Sequence, residues 1–273
     1  MASPIFSQPQ SQAAAPFKTF QQTERLRVSD GALTSILPGA IAQRTLVLAL
    51  PQLGDFDSLE YAWWIQRGRD RLTDLNLDVR AVGIGDQSSG KIFCEFTGFP
   101  TDKLWMDPTG ALHKELGLYQ GLTTNWPGLS SSQEAWVNLM LMCAGIASPG
   151  TLAEVFRGYR GDRQAPQLIA DDETIETNFL PPLKGKFFGA AGGSGFQRPF
   201  ELATVRLRNM VQVLSNWSTY VPDASHMTQR GGTFLFDISG EVIYEYRDRG
   251  ILGFAANMAN PLNFLAMLEN NNR

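Results

Sequence analysis

The sequence predicts an α/β fold in which a mixed β-sheet is flanked by helices. The first observation is an unbroken apolar run at residues 45–50, which is typical of a strand buried on both faces. Apolar residues then recur at three- and four-residue spacing as far as about Leu75, which indicates an amphipathic helix. An alternating segment at residues 77–84 predicts a second strand. Strand, helix and strand together have the length of a βαβ unit.

Composition and charge limit the classes of protein to consider. The chain has 273 residues, of which 43% are hydrophobic and 18% charged, so it can bury a full core in one domain with an elaboration. A net charge of −4 gives no electrostatic reason to bind nucleic acid. No apolar stretch approaches the roughly 18 residues that span a bilayer, and the first residues lack the pattern of a secretory signal. We therefore expect a soluble protein that does not span a membrane.

The few cysteines and histidines argue against a disulfide framework and a metal site. Cys94 and Cys143 give no sign of meeting, and His113 and His226 lack metal-ligand spacing. Two glycines near residue 84 lack the third glycine of a dinucleotide-binding motif. We expect no metal and no cofactor, and a reducing compartment such as the cytoplasm or the stroma of a plastid.

The predicted organisation is one domain with an arm and an insertion. Residues 1–25 are rich in Gln, Ser, Ala and Pro, which is typical of a flexible N-terminal arm. Residues 26–273 form a single domain, in which residues 121–229 are a long, mostly helical insertion before a C-terminal hairpin. Three phenylalanines in the arm could instead dock onto this chain or onto a partner. They are Phe6, Phe17 and Phe20.

The elements up to the insertion follow from local patterns. The first long helix turns one apolar face inward, with Tyr61, Ile65, Gly68, Leu72 and Leu75. Cys94 lies between phenylalanines on a short helix, and packing in the core explains it better than a redox role, because burial raises a thiol pKa. A short strand and a small helix follow at residues 103–118, and we expect His113 to be exposed on that helix.

The C-terminal part predicts a hairpin and a last helix. Residues 233–237 and 241–246 alternate around a turn at Gly240, which indicates an antiparallel hairpin. Pro261 then starts a helix whose inward positions are Leu262, Leu265 and Leu268. Strand, helix, strand, hairpin and helix follow one another in the order of a thioredoxin-like fold.

The turn between the first strand and helix resembles a known active-site motif. Residues 51–62 read P-Q-L-G-D-F-D-S-L-E-Y-A. They resemble the peroxiredoxin motif P-x-x-x-T-x-x-C, with Pro51 in register, Asp55 at the threonine position and Ser58 at the position of the peroxidatic cysteine. The segment is also similar to the G-C-P-F-C-R-E-Y-A turn of the peroxiredoxin-like AhpC/TSA group, with Asp55 and Ser58 in place of both cysteines.

A second segment supports this resemblance. Residues 229–237 resemble the R-G-x-F-x-x-D strand of peroxiredoxins, with Arg230 at the position of the arginine that polarises the peroxide and supports the thiolate. The two blocks imply a peroxiredoxin-like member of the AhpC/TSA family that keeps the arginine and lacks the cysteine. A long insertion beside such a turn is what we expect of cyanobacterial and plastid relatives, so the resemblance also implies a photosynthetic setting.

A serine at the peroxidatic position changes the chemistry of the turn. The thiolate is the reactive nucleophile, and the positive end of a helix lowers a cysteine pKa, whereas a serine hydroxyl stays neutral in the same field. Asp57 is predicted to cap the helix, with Glu60 three residues later as in a capping box. Asp55 could instead pair with Arg230 in place of the thiolate, and the sequence leaves this open.

The insertion predicts helices and a flap. Ser131 caps a helix with Cys143 in the middle of its apolar stripe, so we expect that thiol in the core. A second helix is predicted at residues 152–157, and residues 169–198 are typical of an irregular surface flap. A third, at residues 200–220, is expected to pack its stripe on the sheet, with a partner-facing stripe as the alternative. The two stripes are Trp136, Leu139, Met140, Cys143 and Ile146, and Phe200, Ala203, Leu207, Met210, Val211, Leu214 and Trp217.

Two functions stay open at this level. The first is a non-catalytic protein-binding or scaffold subunit derived from a peroxiredoxin-like enzyme. The second is a thiol-dependent antioxidant enzyme, a peroxidase or oxidoreductase, that uses Cys94 or Cys143. We expect a protein partner at the insertion and the N-terminal arm, and the oligomeric state stays open. The aromatic residues predicted to bind the partner are Phe187, Phe188, Phe196 and Trp126.

Overall fold

The computed structural model describes residues 16–177, 180–190 and 192–270. Its strands are β1 (Glu24–Arg27), β2 (Leu33–Ser35), β3 (Thr45–Gln52), β4 (Asp78–Ile84), β5 (Leu104–Asp107), β6 (Thr174–Thr177), β7 (Leu180–Lys184), β8 (Gly232–Phe236) and β9 (Val242–Arg247). Its helices are α1 (Pro16–Gln22), α2 (Phe56–Arg67), α3 (Arg69–Asp74), α4 (Gln87–Thr97), α5 (Ala111–Glu115), α6 (Ser131–Cys143), α7 (Thr151–Arg160), α8 (Gly185–Ala190), α9 (Pro199–Ser215), α10 (Trp217–Tyr220) and α11 (Ala266–Asn270). Within the described ranges, no helix has the length and apolar character needed to cross a bilayer.

Seven of these strands form one mixed sheet in the order β2-β1-β5-β4-β3-β8-β9. Strands β3, β4 and β5 run parallel, and β8 pairs antiparallel with β3 before the chain returns in β9. Strand β3 is buried at every position because apolar clusters cover both faces of the sheet, which accounts for its unbroken apolar sequence. The predicted α/β class and thioredoxin-like order of elements are confirmed.

Alternate residues of β3 belong to two hydrophobic cores, one on each face of the sheet. Leu48 lies in the larger core, which α2 and α4 cover, and Val47 lies in the smaller core on the side of α1 and α5. Phe20 of α1 is fully buried in the smaller core, and Phe17 packs edge-on against Phe236 with 5.4 Å between ring centroids. These two rings fix the start of the described chain to the sheet.

The predicted arm is therefore shorter than expected. The prediction of a flexible arm over residues 1–25 is wrong for residues 16–25, which form α1 and enter β1. Two of the phenylalanines dock onto this chain itself, which was the alternative for the arm. Residues 1–15, including Phe6, lie outside the described residues.

The long helix predicted after β3 is divided in two at Gly68. A Cβ atom at this glycine would lie 2.5 Å from Cδ1 of Leu262, so the C-terminal segment packs into the break between α2 and α3. Leu262, Leu265 and Leu268 are buried as predicted. The regular helix α11 begins at Ala266, however, and not at Pro261.

The insertion has a small core of its own, contributes Val213 and Tyr220 to the larger core, and is joined to α2 by an ion pair. The buried apolar residues of the small core are Leu168, Ile169, Ile175, Phe188, Leu202 and Val205. Arg206 of α9 contacts Glu60 of α2 at 2.8 Å and Glu154 of α7 at 2.6 Å. The segment predicted as irregular contains the hairpin β6–β7 and the helix α8. Helix α7 is longer than predicted, and Ser130, not Ser131, caps α6.

Candidate functional site

The turn between β3 and α2 is held in place by backbone packing and by Asp55. A Cβ atom at Gly54 would lie 2.5 Å from Val221, so only glycine fits where the turn passes under α10. Asp55 is the N-cap of α2, and its side chain accepts a hydrogen bond from the Asp57 N–H at 3.0 Å. The prediction that Asp57 is the N-cap is wrong, and Glu60 does not form a capping box because it binds Arg206.

Asp57 points into the protein instead. It is fully buried, and its Oδ2 accepts a hydrogen bond from the Gly253 N–H at 3.3 Å, while its Oδ1 has no partner among the described residues. Burial, followed by the neighbouring carboxylates of Asp55 and Asp248, raises the pKa of Asp57 well above its ordinary value. Burial therefore makes the charged form of this carboxyl less favourable than that of an exposed aspartate.

Ser58, at the position of the peroxidatic cysteine, is closed off. Its side chain is buried, and its hydroxyl donates a hydrogen bond to the carbonyl oxygen of Gln52 at 3.3 Å. The cavity that it lines with Asp57 and Asp248 has a volume of about 10 Å³. Such a space holds about one water, so a peroxide does not fit beside the hydroxyl.

Arg230 is the centre of the site and is fully buried. Its Nη2 donates to Oδ2 of Asp55 at 2.5 Å and to the carbonyl oxygen of Met227 at 3.1 Å, and its Nε donates to the carbonyl oxygen of Thr228 at 3.1 Å. The pairing with Asp55 that the sequence left open is present. Gly231, which follows Arg230, packs against Pro51. A Cβ atom at Gly231 would lie 2.9 Å from the proline ring.

Three carboxyl groups surround this one guanidinium. Burial lowers the pKa of Arg230, but Asp55, Asp248 and Asp57 outweigh burial and raise it, so the guanidinium stays charged. Burial raises the pKa of Asp248 to about 6, against the opposing effect of Arg230. Asp248 was not among the residues predicted for this site. Pairing of the hairpin strands could have found it, because Gly232 lies opposite Arg247 and so places the next residue beside Gly231.

His113 is also placed differently from the sequence prediction. It was expected to be exposed, but it is fully buried under the sheet, and its Nε2 donates a hydrogen bond to the carbonyl oxygen of Leu50 at 2.7 Å. Burial lowers its pKa to about 4. The ring is therefore neutral and bound to the backbone, and no described hydrogen bond joins it to Ser58.

The two cysteines occupy opposite environments. Cys94 is buried in the larger core, as predicted, and burial raises the pKa of its thiol to about 12. Cys143 is exposed, so the prediction that it lies in the core is wrong. Partial desolvation by neighbouring atoms is the largest effect that raises the pKa of the Cys143 thiol, followed by the charge of Asp55, while Arg230 lowers it.

Cys143 lies at an apolar groove that we call the tryptophan groove. The groove has a cavity volume of about 250 Å³ and runs between α6, the end of α9, α10 and the turn before α2. Trp136 and Trp217 stack along it, with 5.0 Å between ring centroids and an angle of 26°. Its lining residues are Gln52, Gly54, Asp55, Phe56, Trp136, Leu139, Met140, Cys143, Met210, Leu214, Trp217, Val221, Met227 and Ile251.

The apolar stripes predicted for α6 and α9 both line this groove, and parts of both are exposed at the surface. Helix α9 buries the opposite face, which carries Leu202, Val205 and Val213. The prediction that its stripe packs on the sheet is wrong for Phe200, Leu207 and Leu214, whose exposure agrees with the alternative of a stripe open to a partner. Trp217, at the end of the same stripe, packs against the larger core. Helix α6 likewise leaves Trp136 and Met140 exposed.

The predicted partner-binding aromatics divide into exposed and buried residues. Phe188 is buried in the small core of the insertion, with Arg198 over its ring at 5.8 Å, so it is not available to a partner. Phe187 is 49% exposed, and Trp126 is exposed as well. Phe196 is half-buried, with the guanidinium of Arg163 at 5.4 Å from its ring.

Comparison with known proteins finds one family. A family model described as AhpC/TSA antioxidant enzyme matches residues 64–250, which is more than half of the chain. The match begins inside α2, after the turn that carries Asp55 and Ser58, and it runs through the insertion and the hairpin β8–β9. No curated protein matches the chain.

Proposed function

Because the chain belongs to the AhpC/TSA antioxidant enzyme family, we propose that it is a non-catalytic member that binds a partner protein through its insertion. The observation that carries the first half of this proposal is the ion pair of Asp55 and Arg230 at 2.5 Å. A carboxylate occupies the place beside the arginine where the resemblance implies a thiolate. The arginine is neutralised by a group that cannot attack a peroxide.

Ser58 supports the same conclusion. A serine acts as a nucleophile only when a base takes its proton. The Ser58 hydroxyl donates to a backbone carbonyl, which takes no proton at neutral pH, and the small cavity beside it leaves no room for substrate. Catalysis at this position therefore lacks both an activated nucleophile and access.

The second half of the proposal rests on the surface of the insertion. Among the described residues, twelve of the seventeen exposed large hydrophobic side chains lie within residues 121–229. Scattered apolar residues are normal on a surface, but their concentration on one part of it marks an interaction site. Helix α7 is the clearest case, since Leu152, Phe156 and Tyr159 lie on one face at helical spacing and are all exposed.

The proposal also includes the cellular compartment of the protein. We take the cytoplasm of a photosynthetic organism, or the stroma of its plastids, as the setting in which to search for the partner. We also take residues 26–273 as one domain, because Arg206 joins the insertion to α2.

The test of partner binding compares matched surface variants. The double variant Phe156→Ser/Tyr159→Ser and the single variant Phe187→Ser are used beside Ile238→Ser, which changes an exposed apolar residue at the β8–β9 turn. Affinity capture from a native extract, read by mass spectrometry, should recover a protein with the wild type and Ile238→Ser but lose it with the insertion variants. Equal recovery with all four proteins would place the interface elsewhere, and circular dichroism confirms that each variant is folded.

A second candidate function is supported by one observation. Cys143 is exposed and lies in the same groove as Asp55, so a thiol from the insertion stands close to the position of the replaced cysteine. A thiol-dependent enzyme would then use Cys143. Its raised pKa opposes this role, because the thiolate is the reactive form. Cys94 is the weaker candidate, since its thiol is buried and its pKa is about 12.

A further inference from the structure

The tryptophan groove has the shape of a small-molecule site. Its cavity of about 250 Å³ is close to the lower end of the range for ligand pockets, which is roughly 300–1,000 Å³. Such a space admits a compact molecule and is too small for a helix, whose diameter with side chains is about 10–12 Å. The cavity lies between the insertion and the former active-site turn, and interfaces between such units are common places for ligands.

Gln52 lines the groove, and its side chain carries a buried acceptor without a donor among the described residues. Gln52 is only 2% exposed, and its Nε2 donates to the carbonyl oxygen of Asp223 at 2.7 Å. This bond fixes the orientation of the amide, and its Oε1 is left with no partner among the described residues. A buried acceptor without a donor is costly, so a ligand that brings an N–H group to it gains affinity.

Charge at the groove favours a cation. Among the described residues that line it, Asp55 is the one with a formal charge. Its partner Arg230 is fully buried, whereas the Asp55 side chain is 12% exposed, so the carboxylate is the charge that a ligand in the groove meets first. This carboxylate would repel an anionic ligand and attract an ammonium group.

The walls of the groove favour an aromatic body. Trp136 and Trp217 form a stacked pair, and Met140, Met210 and Met227 supply sulfur atoms around the same space. Thioethers are polarizable and adapt their shape, and they make favourable contacts with aromatic rings. An ammonium group close to a tryptophan face is stabilised further by the π-electrons of the ring.

From the unpaired acceptor, the carboxylate and the apolar walls, we propose that the tryptophan groove binds a compact aromatic amine. The amine donates to Oε1 of Gln52 and faces Asp55, and its ring lies among the tryptophan and methionine side chains. This site is separate from the exposed face of α7, and it stands whether or not a protein partner binds there.

The proposal is tested with two probes that share a phenylethyl group and carry opposite charges. Wild-type protein is titrated by calorimetry with 2-phenylethylamine and with 3-phenylpropionate. The amine should bind saturably and at least about tenfold more tightly than the acid, as expected for one additional charge-assisted hydrogen bond. Saturating amine should also slow the alkylation of Cys143 by iodoacetamide. Equal affinity for both probes, or no binding of the amine, overturns the proposal.

Two matched variants locate the binding. Cys143→Trp fills the groove from an exposed position, and Ala144→Trp adds the same bulk at the next exposed residue, which does not line the groove. Amine binding should be lost in Cys143→Trp and kept in Ala144→Trp. Unchanged binding in both variants contradicts the site. If Cys143→Trp instead dissociates a dimer seen by light scattering, a second copy covers the groove and the amine proposal is wrong.

Discussion

Strand β3 buries its apolar residues, whereas helix α9 leaves an apolar stripe exposed. Every residue of β3 is buried, and its sequence is almost entirely apolar. Helix α9 buries Glu201, Thr204 and Asn209. It exposes its most apolar stripe, in which Phe200 is 45%, Leu207 38% and Leu214 53% accessible. Burial along β3 follows hydrophobicity, whereas α9 buries charged and polar residues while part of its apolar stripe stays exposed.

Ion pairs account for the orientation of α9. Glu201 and Arg198 are both fully buried and lie 2.5 Å apart, and Glu201 also accepts hydrogen bonds from the backbone N–H groups of Arg198 and Ile169. Arg206 on the same helix binds Glu60 of the sheet domain. Buried charges are costly unless they are paired, so these contacts must face inward and the apolar stripe is left outward.

This difference in burial indicates which part of the molecule is open to a ligand or a partner. The sheet domain closes its former active-site turn, with Ser58 buried and Arg230 neutralised. The insertion keeps open a groove and an apolar face. The following experiments test this difference between the sheet domain and the insertion, from the largest expected effect to the smallest.

The two cysteines should differ most. Cys143 should be alkylated at least about a thousandfold faster than Cys94 in the native protein, because Cys94 becomes accessible only when the larger core opens. Mass spectrometry of peptides after timed iodoacetamide labelling measures both rates. Comparable rates would mean that the core opens as readily as the surface of the insertion, and the contrast would fail.

The closure of the turn is tested through Asp55. Asp55→Ala leaves the buried guanidinium of Arg230 without its closest partner, and breaking such a pair costs about 3–5 kcal/mol. Urea denaturation of the single variants and of Asp55→Ala/Arg230→Met measures the free energy of unfolding. The double variant should regain part of the loss. Strictly additive effects would show that the two side chains are not coupled.

The third carboxyl gives the closed site a pH dependence. Asp248 has an ordinary pKa of 3.8 and a folded-state pKa of about 6, so it stabilises the fold fully below 3.8, and this contribution is lost as the pH rises through 6. Asp248→Asn should raise the free energy of unfolding at pH 7 by about 3 kcal/mol and change it little at pH 4. Unfolding curves at both pH values decide this, and an equal effect at both would contradict it.

Neighbouring residues on α9 provide the smallest and most local test. Val213 is fully buried and Leu214 is half exposed. Val213→Ala should cost about 1–2 kcal/mol in unfolding free energy, and Leu214→Ala should stay within about 0.5 kcal/mol. Thermal or urea unfolding measures both. A larger loss at Leu214 would mean that the stripe packs inward after all.

The sequence predicted the sheet domain well because its periodic patterns reflect burial directly. β3, β4 and the hairpin β8–β9 lie where apolar runs and alternation placed them, and the motifs brought Asp55 and Arg230 together. Burial of polar side chains was not predictable in this way. His113 is buried where its ring binds a β3 carbonyl oxygen, and Asp248 is buried where the hairpin pairs it with Gly231.

The insertion was predicted in its helices but not in their orientation. Periodicity finds a stripe but does not say what covers it. The ion pairs of Arg198 and Arg206 decided which face of α9 turned inward. Cys143 was misplaced for the same reason, since its stripe borders an open groove.

The most direct test of the central claim is the turnover of hydrogen peroxide with thioredoxin or glutathione as reductant. Wild-type protein, Cys94→Ser and Cys143→Ser are assayed side by side against buffer. The closed turn predicts that all three proteins consume peroxide no faster than buffer, because Ser58 has no base and Asp55 occupies the place of the thiolate. Turnover by the wild type that disappears in Cys143→Ser would contradict this claim and establish a thiol enzyme that uses the insertion.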